Sequence, residues 1–410
     1  MKKYMKLVYI ILFFPFIIQA QTFDDYLVEA AENNPALKVK YANFEAALQK
    51  VEQVKTLNDP TFSFGYFISP AETRLGPQKS RLSLSQKLPW FGTLSAKGNA
   101  ARFLAEAKYQ EFLDAKNDLY FKVKSAYYPL VKLQKDLQLQ KENREILFTF
   151  KQLSTTAFKN GKSSMSDVIR VDIMIDLSNT TILLLEDKIK PLSTRFNKLL
   201  NKDENSVIKI HNTLDEPLLI KEYGKDSLVL KNPIIESFAL KIKSAQQEVR
   251  LAKKSGLPNF GIGLDYVILD KRTDMNVSEN GRDIIMPMLS MSLPLYRGKY
   301  KAARKQAQFK EASLISAKKN YENKLVSNYE SSLFLLKKEQ ELIKLHQKQI
   351  IKTQQIISLL LTEYSNSGKD FEEVLRMQQQ LLKYKISEVN AVNNYLIAFA
   401  KLDYLTSKTE

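Results

Sequence analysis

The sequence predicts a mostly α-helical fold made of two tandem repeats, each of which carries one β-hairpin. Glycine (12) and proline (13) are scarce among the 410 residues, which favours long uninterrupted elements. A long helical pattern is broken by a similar turn in each half. A glycine at such a turn ends one helix, and an acidic residue favours the start of the next. The turn residues are Phe158, Gly161, Asp167 and Val168 in the first copy, and Tyr364, Gly368, Glu373 and Val374 in the second.

The N-terminus has the pattern of a secretory signal peptide over residues 1–20. Three lysines precede an apolar run at 7–18, and Ala20 offers a small residue for cleavage. The run is shorter than the roughly 20 residues that a membrane-spanning helix needs. We therefore expect a mature chain that begins at Gln21, outside the cytoplasm.

Two segments change from a helical pattern to strict alternation of apolar and small polar residues. They predict β-hairpins at 60–88 and 258–293, each with one apolar face. The apolar positions are Phe62, Phe64, Tyr66, Leu82 and Leu84 in the first hairpin, and Phe260, Ile262, Leu264, Leu289 and Met291 in the second. The alternative is a small soluble sheet packed on helices, but the neighbouring helices are too polar to cover four such strands. We therefore expect these residues to face lipid, with the loops at 69–79 and 269–284 outside the cell.

Four strands cannot close into a barrel alone, and lipid does not tolerate their unpaired edges. Closure must therefore come from other copies of the chain. The sequence thus predicts a β-barrel in a membrane to which each copy contributes four strands.

Long helices follow each hairpin. The first repeat, at 21–200, has a helix of about 65 residues, roughly 100 Å long at 1.5 Å per residue, and then a return helix. The second repeat, at 231–406, has matching elements, and Asn34-Pro35 recurs as Asn232-Pro233. Residues 201–230 are mixed and polar, which predicts a linker or equatorial segment with little regular structure.

Two prolines of the first repeat have no counterparts in the second. In a helical hairpin that turns near Gly161, Pro129 and Pro191 lie at almost the same height. Interior prolines remove a backbone hydrogen bond and bend or break helices. We expect both helices to bend or break there, and the segments near Leu335 and Ile397 to stay straighter.

Composition argues against an enzyme, a metal site and nucleic-acid binding. The chain has no cysteine and only two histidines, His211 and His346, in unlike contexts. We therefore expect no catalytic residue, no metal site and no cofactor. The net charge is +17, but the lysines are scattered along helical faces among Glu and Gln. Because they are not clustered with aromatic residues, we expect no nucleic-acid partner.

The order of elements resembles that of the TolC-like outer-membrane efflux family. The resemblance covers essentially the whole mature chain and rests on the two Asn-Pro helix starts, on Leu-Pro-Trp-Phe-Gly at 88–92 and on the two turns. It implies a homotrimer that shares a twelve-stranded β-barrel in the outer membrane and an α-barrel tunnel in the periplasm of a Gram-negative cell. It also implies a passive efflux duct served by an inner-membrane pump and a periplasmic adaptor. The Pro-Trp-Phe-Gly stretch resembles that of the family branch associated with multidrug and metal pumps.

The alternative function is a periplasmic coiled-coil adaptor or structural scaffold, which shares the long helices. Such a protein has no use for four strands with a lipid-facing surface. Heat-modifiable trimers extracted from outer membrane by detergent would favour the duct, and a soluble periplasmic product would favour the scaffold.

The resemblance also implies that the two turns form the closed periplasmic tip, at which adaptors dock. On this basis we place the tip at Phe158, Gly161, Asp167, Val168, Tyr364, Gly368, Lys369, Glu373 and Arg376. Family members often carry two acidic residues three positions apart after the second turn. Here the second position is Arg376, which predicts a gate that is not purely acidic. Many members also acylate an N-terminal cysteine, and this chain has none.

Overall fold

The computed structural model describes residues 23–210, 228–229, 231–367 and 371–407, so the predicted signal peptide and His211 lie outside the described residues. The first repeat contains helices α1 (Phe23–Asn33) and α2 (Pro35–Lys55), strands β1 (Thr61–Tyr66), β2 (Glu72–Thr73) and β3 (Gly76–Leu88), and helices α3 (Thr93–Lys159), α4 (Met165–Asp187) and α5 (Ile189–Leu199). The second repeat contains helix α6 (Pro233–Lys254), strands β4 (Asn259–Leu269) and β5 (Ile284–Ser292), and helices α7 (Arg297–Ser367) and α8 (Phe371–Leu405). The chain is therefore mostly helical with one antiparallel sheet, as the sequence predicts.

Two helices, α3 and α7, are much longer than the others. Helix α3 has 67 residues and helix α7 has 71, so each is roughly 100 Å long. In the part of the chain that the structure describes, no helix combines the length and the apolarity that crossing a bilayer would require. Residues 201–210 contain turns but neither helix nor strand.

The repeated Asn-Pro pair starts a helix in each half. The Asn34 side chain accepts hydrogen bonds from the backbone N–H groups of Ala36 and Leu37, and Asn232 does the same for Ile234 and Ile235. The proline that follows each asparagine occupies the first helical position, where its missing N–H costs nothing. The same local chemistry therefore fixes the start of α2 and α6.

The two unmatched prolines of the first repeat behave differently. Helix α4 ends at Asp187 and α5 begins at Ile189, because Pro191 cannot donate to the carbonyl of residue 187 and its ring clashes with it. Helix α3 continues through Pro129, so the helix does not break there, and the expected bend stays a prediction. Tyr127, Leu130 and Val131 are buried around this proline, and their packing holds the helix together. No interruption occurs in α7 or α8 near the corresponding positions of the second repeat.

The sheet has the order β1-β3-β4-β5, and all its strand pairs are antiparallel. Strand β3 begins at Gly76, earlier than predicted, and the short strand β2 pairs with it inside what was expected to be loop 69–79. Gly76 has φ +135°, and a Cβ atom there would lie 1.9 Å from the Asp270 carbonyl oxygen. Only glycine fits this close approach between the two hairpin loops.

Apolar packing is divided among three clusters along the helices. The first joins α1, α2, α3 and α5 around Tyr26 and Phe196. The second joins α6, α7 and α8 around Leu336 and Tyr395. The third lies at the end where the two long helices turn back. Each repeat therefore has its own main cluster, Tyr128 of α3 packs against both, and the two repeats share one core at the turns.

One carboxyl group is held among these helices in an unfavourable environment. Burial raises the pKa of Asp114 on α3 to about 6, although the Tyr404 hydroxyl donates a hydrogen bond to it at 3.3 Å. Asp118 nearby raises the pKa further, whereas Lys40 and Lys401 lower it. The charged form of Asp114 therefore costs stability.

We expect Asp114→Asn to stabilise the protein at pH 8 but not at pH 4. The folded-state pKa lies above the unfolded value, so the cost is present above pH 6 and is relieved as the pH falls towards 4. The shift in the pKa of Asp114 corresponds to about 3 kcal/mol at 1.36 kcal/mol per pKa unit. This value is the upper limit of the stabilisation expected at pH 8. Thermal unfolding of both proteins at the two pH values measures the effect, and an equal change in stability at both would contradict it.

Candidate functional site

The first turn is closed by hydrogen bonds at both helix ends. Gly161 has φ +69°, and Lys162 N donates to the Ala157 carbonyl at 2.8 Å. Asp167 accepts from the Ser163 hydroxyl at 2.6 Å and from Ser164 N at 3.2 Å. Glycine thus supplies the left-handed residue, and the acidic residue caps the next helix. Phe158, at the end of α3, is exposed, and Val168 is buried.

The second turn joins α7 to α8. Residues 368–370, which include the predicted site residues Gly368 and Lys369, lie outside the described residues. Tyr364 and Phe371 lie on either side of the turn and are both buried, with ring centroids 4.8 Å apart. Burial also raises the pKa of the Tyr364 hydroxyl.

A shared apolar cluster packs the two turns together. Helices α3, α4, α7 and α8 all contribute to it, with Leu147, Phe150, Val171, Ile175, Tyr364, Phe371, Val374 and Leu375. Phe150 and Phe371 come from different repeats and have ring centroids 6.0 Å apart. The structure therefore brings the predicted tip residues of both repeats to one end of the molecule.

Two ion pairs on this end involve helix α8. Glu373 pairs with Arg376 within α8, and Arg170 of α4 pairs with Glu372 of α8. The hydrogen bond from Arg170 to Glu372 raises the pKa of that guanidinium. Two acids and two bases leave this group of four with no net charge. A cavity of about 390 Å³ lies between α4 and α8 beside them, lined by both arginines, Glu372, Met174 and Leu375.

The Arg170–Glu372 pair was not predicted. Its two members are 202 residues apart in sequence, and an acidic residue such as Glu372 in the first turn of a helix is already explained by the helix dipole. Only the packing of the two repeats against each other brings these side chains together. No residue spacing within one repeat indicates that they form a pair.

The sheet places the predicted lipid-facing residues on one face. In an antiparallel sheet paired residues point to the same side, and Phe62, Leu84 and Leu264 form one such row across three strands. Exposure reaches 66% for Phe62 and 88% for Leu289. The exposed members are Phe62, Phe64, Tyr66, Leu84, Ile262, Leu264, Leu289 and Met291, and the half-buried ones are Leu82 and Phe260.

The opposite face carries small and charged side chains. Asp265 is fully buried and pairs with Arg81 of the neighbouring strand. Ser63 and Ser83 lie beside this pair in register. The sheet thus has one continuously apolar face and an opposite, mixed face, where serine, glycine and the Arg81–Asp265 pair lie beside Val267, Met286 and Met288. Among the described residues, no group of three or more His, Asp or Glu side chains is placed to hold a metal ion.

Long paired helices joined to a sheet with an outward apolar face define the class of outer-membrane channels that extend a helical tunnel into the periplasm. The family model described as "Outer membrane efflux protein" matches residues 26–202 and 226–407. The chain belongs to this family, and it is an outer-membrane channel of the tripartite efflux type. No curated protein matches the sequence.

Solved outer-membrane proteins have a similar fold. The outer membrane protein VceC from Vibrio cholerae is 14% identical, with a TM-score of 0.76 over 94% of this chain and 95% of that chain. The CmeC outer membrane channel of Campylobacter jejuni is 15% identical, with a TM-score of 0.75 over 94% and 85% of the two chains. The MtrE outer membrane channel of Neisseria gonorrhoeae is 14% identical, with a TM-score of 0.77 over 94% and 88%.

Proposed function

We propose that three copies of the chain form a passive duct. Their sheets close into a shared twelve-stranded barrel, and their helices form one tunnel. The observation that carries this proposal is the sheet order, in which β1 and β5 are edge strands of a sheet whose outer face is apolar. In lipid an unpaired edge is very costly, so β5 of one copy pairs with β1 of the next.

Exposed apolar stripes on two helices support the same assembly. On α4 the stripe consists of Met165, Ile169, Ile173, Leu177 and Leu184. On α7 it consists of Phe309, Phe334, Leu345, Ile356 and Leu359, which lie within roughly 60° of one another at 3.6 residues per turn. Neighbouring copies would cover both stripes and build the wall of the tunnel.

The two ends of the chain have different roles in the proposed duct. The strands anchor the chain in the outer membrane, and the tip points to an inner-membrane pump through a periplasmic adaptor. The adaptor docks at the tip residues of both turns. The chain contributes no chemistry of its own, so the choice of substrate belongs to the pump. We retain the division into a signal peptide (1–20), two repeats (21–200 and 231–406) and an equatorial segment (201–230).

Disulfide cross-linking tests the trimer directly, because the natural chain has no cysteine. Ser63→Cys on β1 is combined in turn with Met286→Cys, Met288→Cys or Ser290→Cys on β5. We expect at least one pair to give a covalent trimer in the outer-membrane fraction, because β5 and β1 of adjacent copies would bring the two Cα atoms within the roughly 7 Å that a disulfide spans. Non-reducing gel electrophoresis measures it.

A matched pair within one chain serves as the control. Ser63 and Ser83 are register partners on β1 and β3, so the double cysteine variant should cross-link internally and remain a monomer on the gel. A soluble periplasmic product, or monomers with every β1–β5 pair, would contradict the duct and favour the scaffold.

A further inference from the structure

A basic cavity lies where the sheet joins the helices. Its volume is about 260 Å³, and it is enclosed by the end of β3, the start of α3, the end of α6 and the start of β4. Lys87, Lys97 and Lys254 line it, and its lining contains no carboxylate. The cavity is slightly smaller than the roughly 300–1,000 Å³ of drug-sized ligand sites, so it suits a small anionic group.

The three lysines are available to a ligand. Lys254 Nζ donates to the Phe91 carbonyl at 2.8 Å, which fixes this ammonium group at the cavity wall. Lys87 and Lys97 are exposed, and none of the three forms an ion pair within the described residues.

The start of α3 adds hydrogen-bond donors to the same cavity. Gly92 precedes the helix and has no side chain to cap its first N–H groups. Thr93, the first residue of α3, is only 7% exposed, lines the cavity, and has a hydroxyl with no hydrogen-bond partner among the described residues. A buried hydroxyl without a partner is unfavourable unless a ligand or a water molecule satisfies it. Helix N-termini favour anions, and phosphate groups in particular.

We propose that this cavity binds a phosphate group, carried either by the headgroup of an anionic phospholipid or by free inorganic phosphate. The lysines supply the charge, and the Thr93 hydroxyl and the amides that follow Thr93 in the first turn of α3 donate to the phosphate oxygens. The Thr93 N–H takes no part, because it donates to the Trp90 carbonyl at 3.0 Å. The lipid source rests on the proposed function, in which this junction lies at the periplasmic end of the sheet. Lys87 lies two residues beyond Ser85 on the face opposite the apolar one, so a headgroup would reach it around the end of β3 and not across the apolar face. Trp90 stacks on Phe260 with centroids 5.8 Å apart, and Phe91 is exposed beside them, as expected for aromatic residues at a membrane interface.

Two binding measurements on the full-length chain, purified from outer membrane in detergent, test the site. Native mass spectrometry follows titration with phosphatidylglycerol, and calorimetry follows titration with inorganic phosphate. We expect the double variant Lys87→Gln/Lys97→Gln to lower the affinity for the ligand that binds at least ten-fold, because two charge-assisted contacts are lost. Thr93→Val, which keeps the shape but removes the hydroxyl, should weaken it about five-fold.

The control variant Lys253→Gln/Lys301→Gln removes the same charge from two exposed lysines near the junction that do not line the cavity, and its binding should equal that of the natural chain. Loss of phosphatidylglycerol binding in the cavity variants assigns a lipid headgroup, and loss of phosphate binding alone assigns the free anion. If neither ligand binds, or the cavity and control variants bind alike, the proposal is wrong. Trimer formation and conductance are measured on the same preparations, so that failure of the duct is separated from failure of the site.

Discussion

Leu84→Arg is expected to prevent assembly of the channel in the outer membrane. Leu84 lies near the middle of β3, is half exposed, and sits between Phe62 and Leu264 in the centre of the apolar face. Arginine on the lipid face of a β-barrel costs about 2–4 kcal/mol near the bilayer midplane. In the proposed trimer this cost would be multiplied by three, which is comparable to the whole stability of many folded proteins.

The neighbouring variant Ser85→Arg tests whether the effect belongs to the face rather than to the strand. Ser85 follows Leu84 directly, so its side chain points to the polar face of the same strand. We expect it to assemble nearly as well as the natural chain. Heat-modifiable trimers are counted in the outer-membrane fraction for both variants. Equal loss of trimer in the two would contradict the assignment of the faces.

Features with a local cause could be predicted from the sequence. Alternation over 61–66 and 259–268 predicted the strands, and the Asn-Pro pairs predicted the helix starts, because both depend on neighbouring residues alone. The break after Asp187 follows from Pro191 in the same way. Pro129 shows the limit, since burial of the adjacent α3 residues outweighs the missing hydrogen bond.

Features that depend on contact between repeats could not be predicted. Arg170 and Glu372 meet only because α4 and α8 pack at one end. Lys87, Lys97 and Lys254 belong to β3, α3 and α6 and form a cavity only where these elements join. Glu373 and Arg376 could be predicted, because three residues along a helix place two side chains on one face.

We expect the Glu373–Arg376 pair to determine how the tip acts on ions. By resemblance the tip is the closed end of the tunnel, and threefold symmetry would repeat Glu373 around the axis. Three carboxylates at about 6 Å would repel by roughly 3 kcal/mol per pair at an effective dielectric near 20. In the structure Arg376 already contacts Glu373, and the pair is partly exposed, so it contributes less than about 1 kcal/mol to stability. Its main effect in the proposed trimer would be to cancel the negative charge of the three Glu373 carboxylates.

We therefore expect Arg376→Ala to make the closed channel several-fold more cation-selective and more sensitive to block by divalent cations. Removing the arginine leaves three unpaired carboxylates, which attract cations into the narrow end. Glu373→Ala should shift selectivity the other way, towards anions, because the arginines remain. Single-channel recording in planar bilayers, with reversal potentials in a salt gradient, measures both changes.

Lys344→Ala provides the control for these recordings. Lys344 pairs with Glu341 at the same three-residue spacing on the surface of α7, at 2.8 Å, so this variant removes one positive charge from an equivalent pair outside the tip. Its selectivity should stay near that of the natural channel. If Glu373 only favours the start of α8 through the helix dipole, Glu373→Ala changes stability by about 0.3–1 kcal/mol and leaves conduction unchanged. Unchanged selectivity in both tip variants would therefore contradict a gate formed by Glu373 and Arg376. Opposite shifts in selectivity in the two variants would support it.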